Sequence, residues 1–242
     1  MNARIAIVGC GLAVVAVLMM LCAALGHRAG LVGLQSAFLL LRWGAYLGGA
    51  AGVLSLLAVV LMFVRPRGER RGLALAVFGF IIGAGLFGLA ASQLYRARGV
   101  PPIHDITTDV NDPPSFAAVL PLRANAPNTV DYGGPEVAAQ QRNAYPDIGP
   151  VTVSVPPEQA FERALAAVRA MGWDLVASDP SAGLIEATDT TFWFGFKDDI
   201  VVRIRPADGG SRIDVRSLSR VGRGDVGTNA RRIRAYVREL AK

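Results

Sequence analysis

Three long uncharged runs dominate the first part of the chain, at residues 5–26, 43–64 and 72–95. Each exceeds the roughly 20 residues that a helix needs to cross a hydrocarbon core about 30 Å thick. Buried helices of soluble proteins are rarely so long and so free of charge. The pattern therefore predicts three transmembrane helices in a membrane region at residues 1–95.

A shorter uncharged run, residues 29–41, ends at Arg42. It is too short for a further crossing, so it predicts either an interfacial helix or an extension of the second span. The first long run has the position of a signal peptide, but its core is too long and residues 22–25 offer no clear cleavage site. We expect that run to remain as an anchor.

The pattern changes in the stretch at residues 96–150. Eleven of the fourteen prolines fall between Pro101 and Pro157. Proline interrupts helices and central strands, so we expect an extended, Pro-rich linker without a regular helix. Apolar side chains at intervals predict that this linker packs on the following domain; they are Ile103, Ile106, Phe116 and Tyr145.

Regular patterns at residues 151–242 predict a compact α+β domain. Apolar side chains alternate in five segments, which predict strands around residues 151–155, 173–177, 184–196, 200–204 and 213–215. One apolar stripe at helical spacing opens at Pro156, and a second starts near Asp225, a good N-cap residue. The order is strand, helix, four strands, helix. Short connections make the later strands antiparallel, and both stripes are buried if both helices cover one sheet face.

The last two strands form a predicted hairpin around the turn at residues 207–210. If their core faces coincide, Ile204 pairs with Ile213. That register sets Arg203 opposite Asp214 on the outer face, a favourable cross-strand pair. On the final helix the arginines are expected to lie opposite the apolar stripe; they are Arg231, Arg232, Arg234 and Arg238.

Composition supports the membrane assignment. Of 242 residues, 52% are hydrophobic and 18% are charged, which is too apolar for an ordinary soluble domain. The net charge of +6 comes from residues 1–95, where seven arginines face one glutamate. The remaining residues carry eighteen basic and eighteen acidic side chains and are neutral. A neutral domain lacks the basic surface that nucleic-acid binding requires, so nucleic acid is excluded as a partner.

The basic residues also predict an orientation. The loop at residues 65–71 carries four arginines, which favours a cytoplasmic position. With three spans, the N-terminus is then cytoplasmic and the C-terminal domain is extracytoplasmic. High usage of Ala, Arg and Gly fits a bacterial source, so the expected location is the bacterial inner membrane.

Glycines and polar residues in the spans bear on function. Gly44 with Gly48, and Gly79 with Gly83, are spaced for close helix contacts, either within the three-helix bundle or at a homodimer face. The spans contain no Asp, Glu or Lys, which argues against a transporter or pump. The two cysteines lie in the first span and are expected to be inert thiols.

Four segments of the C-terminal half resemble a known family. They are Pro102–Asp109, Tyr145–Pro146, Gly195–Arg203 and Asp214–Ile233. Together they look like the bacterial and plastid family catalogued as domain of unknown function 1499, over about residues 101–240. The resemblance implies no established reaction, substrate or cofactor. The three spans lie outside it.

The polar residues of these segments are the candidate site. A glycine-rich turn that leads into a helix N-terminus can bind an anion through backbone N–H groups, with arginines adding charge-assisted hydrogen bonds. The site would then hold an anion or a lipid headgroup. The structural alternative is that Asp225 caps the helix while the arginines pair with Asp198 and Asp199. The candidate ligand-binding residues are Asp198, Asp199, Arg203, Arg216, Ser217, Ser219, Arg220, Asp225 and Asn229.

A second candidate is the loop motif of His104, Asp105, Thr108 and Asp109. It offers either metal ligands, a general base, or only a hydrogen-bonded loop docked on the domain. One histidine with carboxylates is a weak metal signal, so we expect neither a metal nor a cofactor. The aromatic residues at 192–196 are expected either in the core or along a groove for an apolar ligand.

Three functions remain. The first is a membrane-anchored module that binds a lipid, another amphipathic molecule or an envelope protein. The second is an envelope hydrolase or transferase acting through Asp198, Asp199, Ser217, Arg220 or His104. The third is a structural subunit of a membrane complex. Known catalytic motifs such as G-x-S-x-G are missing from the sequence, which favours a non-enzymatic role.

Overall fold

The computed structural model describes residues 2–64 and 70–242. The chain divides into two compact units. One unit comprises Met1–Arg96 together with Trp193–Gly195, and the other comprises Ala97–Phe192 and Phe196–Lys242.

Three helices make up the membrane unit: α1 (Asn2–Arg28), α2 (Leu34–Val64) and α3 (Leu73–Arg98). All three are long and apolar enough to cross a membrane. Because α2 begins at Leu34, most of the short run at residues 29–41 is an extension of the second span. The arginine-rich loop on which the predicted orientation depends lies outside the described residues from 65 to 69.

Glycine allows these helices to approach closely. A Cβ atom added to Gly44 of α2 would lie 2.8 Å from Cγ of Met20 in α1. A Cβ added to Gly83 of α3 would lie 2.5 Å from the Gly48 carbonyl oxygen and 2.6 Å from the Gly52 nitrogen, both in α2. The spaced glycines therefore contact neighbouring helices of the same bundle.

The second unit is the α+β domain that the sequence predicts. Its antiparallel sheet has six strands in the order β1-β6-β5-β4-β3, and β2 also pairs with β6. Its elements are β1 (Asp105–Thr107), a short 3-10 helix (Leu120–Arg123), α4 (Gly134–Ala144), β2 (Val151–Val153), α5 (Pro157–Ala170), β3 (Asp174–Asp179), β4 (Leu184–Thr190), β5 (Lys197–Ala207), β6 (Gly210–Ser219) and α6 (Thr228–Leu240).

Three local features differ from the sequence prediction. The linker contains a regular helix, α4, because Pro135 occupies its first turn, where no N–H is needed, and Pro146 follows its end. The linker also supplies β1, a strand too short to show alternation. The strand expected over residues 184–196 ends at Thr190, and Gly195 has a φ of +66°, a left-handed conformation that breaks a strand.

The predicted hairpin register is confirmed. Ile204 pairs with Ile213, and Arg203 lies opposite Asp214. Nη2 of Arg203 is 3.2 Å from Oδ2 of Asp214, so the expected cross-strand ion pair forms.

The two faces of the sheet differ in chemistry. Helices α5 and α6 cover one face, and their apolar stripes enclose a core around Ile200, Ile213 and the stacked rings of Trp173 and Tyr236. Residues 108–132, here called the strap, cover part of the other face. The strap adds a small apolar cluster around Phe116 and Val119, but most strand side chains beneath it are polar or charged.

Candidate functional site

The cluster around Asp199 lies on the strap face of β5. Asp199 is fully buried. One carboxylate oxygen, Oδ1, accepts hydrogen bonds from Oγ1 of Thr188 at 2.7 Å and Nη2 of Arg220 at 2.8 Å. The other, Oδ2, accepts from Nε of Arg220 at 2.9 Å and from Nη1 of Arg123, a strap residue. Two guanidinium groups therefore face one carboxylate, which leaves the cluster with a net charge of +1.

The pKa of Asp199 reflects this arrangement. Burial acts to raise the pKa, but the hydrogen bonds from Arg220, Thr188 and Arg123 outweigh burial and hold the pKa below its ordinary value of 3.8. Asp199 therefore stays ionised at neutral pH. Nε of Arg123 is buried without a hydrogen-bond partner among the residues that the structure describes.

Arg216 of β6 forms the second cluster. Its guanidinium binds Asp105 of β1 in a bidentate pair, with Nε–Oδ1 at 2.9 Å and Nη2–Oδ2 at 2.7 Å. The same group lies between two aromatic rings, 5.0 Å from the centroid of Phe116 and 5.6 Å from that of Tyr132. The pair is buried. Arg216 thus joins β6 to β1 through charge and holds the strap through the two rings and through hydrogen bonds to the Pro114 and Val130 carbonyl oxygens.

The third cluster joins strand arginines to acidic residues at the start of the strap. Asp214 accepts hydrogen bonds from Arg203 at 3.2 Å and from Nε of Arg212 at 3.0 Å. Arg212 also pairs with Asp109. Thr108 accepts a hydrogen bond from the Val215 nitrogen at 2.8 Å.

Glu186 of β4 holds the strap by its backbone. Its Oε1 accepts hydrogen bonds from the nitrogens of Ala117 and Ala118, both at 2.9 Å, and its Oε2 accepts one from Val119 at 3.0 Å. Three consecutive N–H groups thus point at one buried carboxylate.

A fourth cluster lies on the opposite face, beneath α6. Oγ of Ser217 donates to Oδ1 of Asn229 at 2.7 Å, and Nδ2 of Asn229 donates to Oγ of Ser219 at 2.9 Å. Arg232 binds Asp198 at 2.6 Å and also donates to Ser217. Both serines are buried, and their partners are an amide and a guanidinium, neither of which is a general base.

Asp225 closes the N-terminus of α6. Its Oδ1 accepts from the Gly227 nitrogen at 2.8 Å and its Oδ2 from the Asn229 nitrogen at 2.6 Å. These are backbone donors of the kind that would bind an external anion. Burial raises the pKa of Asp225 against the effect of these bonds. The preceding turn is strained, because Val226 has a φ of +54°.

The residues of the loop motif have different hydrogen-bond partners in the fold. Nδ1 of His104 lies 3.3 Å from the Arg223 carbonyl oxygen, whereas Asp105 pairs with Arg216 and Asp109 with Arg212. Within residues 2–64 and 70–242, His, Cys, Asp and Glu form no group of three placed to hold a metal ion.

One part of the Asp199 cluster reaches the surface. Nη1 of Arg220 donates to the Leu122 carbonyl oxygen at 2.8 Å, and the Arg220 nitrogen donates to the Lys197 carbonyl oxygen at 3.0 Å. Lys197 is exposed, and it lies on the same sheet face as Asp199 because strand side chains alternate. Leu120 and Leu122 are 43% and 55% exposed. We call Lys197, Arg220, Leu120 and Leu122, with Arg123 and Asp199 beneath them, the Arg220 patch.

Sequence reasoning missed several residues that build these clusters. Arg123 lies in a stretch with no periodic pattern, so no sequence signal predicted that it would belong to the Asp199 cluster. Arg232 was expected on the exposed side of α6 but is buried against Asp198, since its charge is neutralised there. Glu186 and Thr188 alternate with Ile185 and Ala187, and this alternation was an available signal that β4 has one polar face.

The family model described as "Protein of unknown function (DUF1499)" matches residues 105–240, more than half of the chain. Neither curated proteins nor solved structures give a significant match.

Proposed function

The chain belongs to the DUF1499 family, and we propose that it is a membrane-anchored binding module for a lipid or another amphipathic molecule. In this proposal the three helices fix the protein in a bacterial inner membrane. The N-terminus faces the cytoplasm, and the α+β domain binds its ligand outside.

The proposal rests on the burial and the hydrogen bonding of the polar motif residues. The serines, Asp198, Asp199 and Asn229 are buried and hydrogen-bonded to other side chains of the domain. A catalytic nucleophile needs a neighbouring base and access to substrate. Among the described residues, neither Ser217 nor Ser219 has a basic hydrogen-bond partner, and both side chains are buried, so the geometry favours binding over covalent catalysis.

The proposed contact with the ligand is the accessible edge of this network. The Arg220 side chain is 13% exposed, and its donors bind Asp199, Thr188 and the Leu122 carbonyl oxygen, so its guanidinium is oriented before any ligand arrives. A pre-oriented group loses little side-chain entropy on binding.

Native mass spectrometry of the full chain, released from nanodiscs made with a bacterial lipid extract, tests the proposal. We expect retained lipid or amphiphile masses, together with slower hydrogen exchange in residues 97–242 than in nanodiscs of a single synthetic zwitterionic lipid. No retained mass and no change in exchange within this unit would refute a binding function for the domain.

A further inference from the structure

We propose that the Arg220 patch binds the phosphate-bearing headgroup of an anionic phospholipid. This inference rests on the proposed function and names both the ligand class and the site.

The charge at the patch supports an anionic ligand. Arg123, Arg220 and Lys197 contribute three positive charges, and Asp199 contributes one negative charge. Lys197 forms no ion pair with any residue in the described ranges 2–64 and 70–242. The local sum is +2 in a domain whose total charge is neutral.

The position of the arginines supports a phosphate. Asp199, Thr188 and the Leu122 carbonyl oxygen hold the Arg220 side chain in one orientation, which leaves one N–H of Nη1 without a partner among the described residues. A fixed guanidinium matches phosphate oxygens in geometry and binds them through charge-assisted hydrogen bonds. Arg123 adds a positive charge beneath Arg220, although its side chain is buried and only its charge reaches the patch.

The leucines distinguish a lipid from a free anion. Leu120 and Leu122 lie in the same short 3-10 helix as Arg123 and are exposed, and the Leu122 carbonyl oxygen accepts a hydrogen bond from Arg220. Apolar side chains next to cations fit a molecule that carries both a phosphate and acyl chains. The candidate spans place the same chain in a bilayer, where such molecules are abundant.

Hydrogen exchange of the full chain in nanodiscs tests this site. One set of discs contains phosphatidylcholine only, and the other contains increasing fractions of phosphatidylglycerol with the same acyl chains. We expect phosphatidylglycerol to slow exchange in peptides covering residues 118–124 and 196–223. Inorganic phosphate added to the phosphatidylcholine discs is expected to produce no such protection.

Three variants make the test specific. Lys197→Gln removes an exposed charge without disturbing Asp199, and it should raise the phosphatidylglycerol fraction needed for half-maximal protection about fivefold. Leu122→Ser should also raise that fraction. Arg163→Gln removes an exposed arginine on α5 and should leave it unchanged.

Several outcomes would overturn the proposal. Equal protection from inorganic phosphate alone would identify a free-anion site. Equal protection by both lipids, or an unchanged midpoint in Lys197→Gln and Leu122→Ser, would show that the patch does not recognise an anionic lipid. If the bacterial lipid extract still slows exchange elsewhere in residues 97–242 in that case, the binding function stands and only this site is wrong.

Discussion

Replacement of Asp199 by Asn should strongly destabilise the domain. The substitution preserves size but removes the charge that neutralises Arg123 and Arg220. It also replaces one accepting oxygen by an NH₂ group that faces two donors, Nε of Arg220 and Nη1 of Arg123. Two charge-assisted hydrogen bonds are then lost, at about 1.5–3 kcal/mol each. Water reaches Arg220 in part, so we expect a net loss of about 3–5 kcal/mol, the range for breaking a buried ion pair.

Hydrogen exchange of the full chain in nanodiscs measures this loss directly. The slowest amides of β5 and β6 exchange only when the domain opens as a whole. A loss of about 4 kcal/mol should accelerate their exchange about 10³-fold. The matched control is Asp147→Asn, the same chemical change in the surface pair of Arg234 and Asp147, whose side chains are 33% and 55% exposed. That pair contributes about 0–1 kcal/mol, so exchange should change less than about tenfold.

The pH dependence of the Asp199 effect has a definite sign. Because the folded domain depresses the pKa of Asp199, its contribution to stability is present above the ordinary value of 3.8 and is lost as pH falls through the folded pKa. The gap in thermal stability between wild type and Asp199→Asn should therefore narrow in strong acid. If Asp199→Asn and Asp147→Asn have equal effects at pH 7, the reasoning about the buried cluster is wrong.

Three further predictions follow from individual residues. Arg216→Lys should lower the free energy of unfolding by about 2 kcal/mol, since lysine can neither form the bidentate pair nor stack on the two rings. Denaturant unfolding monitored by hydrogen exchange measures this loss. A loss below about 0.5 kcal/mol would contradict the role given to Arg216. Burial raises the pKa of Asp225, so ionisation of Asp225 lowers the stability of the domain as pH rises above the ordinary value of 3.8. In thermal unfolding, Asp225→Asn should therefore lower stability less at pH 7 than at pH 4. The opposite order would show that the pKa of Asp225 is not raised in the folded domain. Gly83→Leu should disrupt the contact between α2 and α3, whereas Gly85→Leu should not, because the space around a Cβ at Gly85 is open. Thermal unfolding of the bundle in detergent distinguishes the two variants. Equal melting temperatures would show that the contact at Gly83 does not stabilise the bundle.

The sequence predicted the elements whose pattern is local. Long uncharged runs gave the three helices, and alternation with a turn gave the β5–β6 register down to Arg203 and Asp214. In both cases a single physical rule, span length or strand period, determines the answer. The same rules failed for β1, which has three residues and depends on pairing with β6.

The ionic clusters could not be derived in the same way. Arg123 and Asp199 lie far apart in sequence, and only the folded strap brings them together. Burial of Arg232 likewise contradicts the rule that charges lie outside, because its partners on β5 and β4 compensate the cost of desolvation. Ligand binding by the motif residues stays a prediction. Their side chains also form the polar pairs that hold the strap, so burial and pairing alone do not distinguish a binding role from a structural role.

The clusters beneath the strap also have a consequence for the order in which the domain forms. The strap precedes nearly all of its partners in the chain. Asp109 and Arg212 are separated by 103 positions, and Arg123 and Asp199 by 76. During synthesis the strap therefore emerges long before the strands that carry its ion-pair partners. Each ion pair closes a large loop between the strap and a strand, and closing such loops is slow. The domain should consequently gain its native structure late and in one step, only after β6 has been made, so a chain truncated before Arg216 should retain neither the strap nor the sheet.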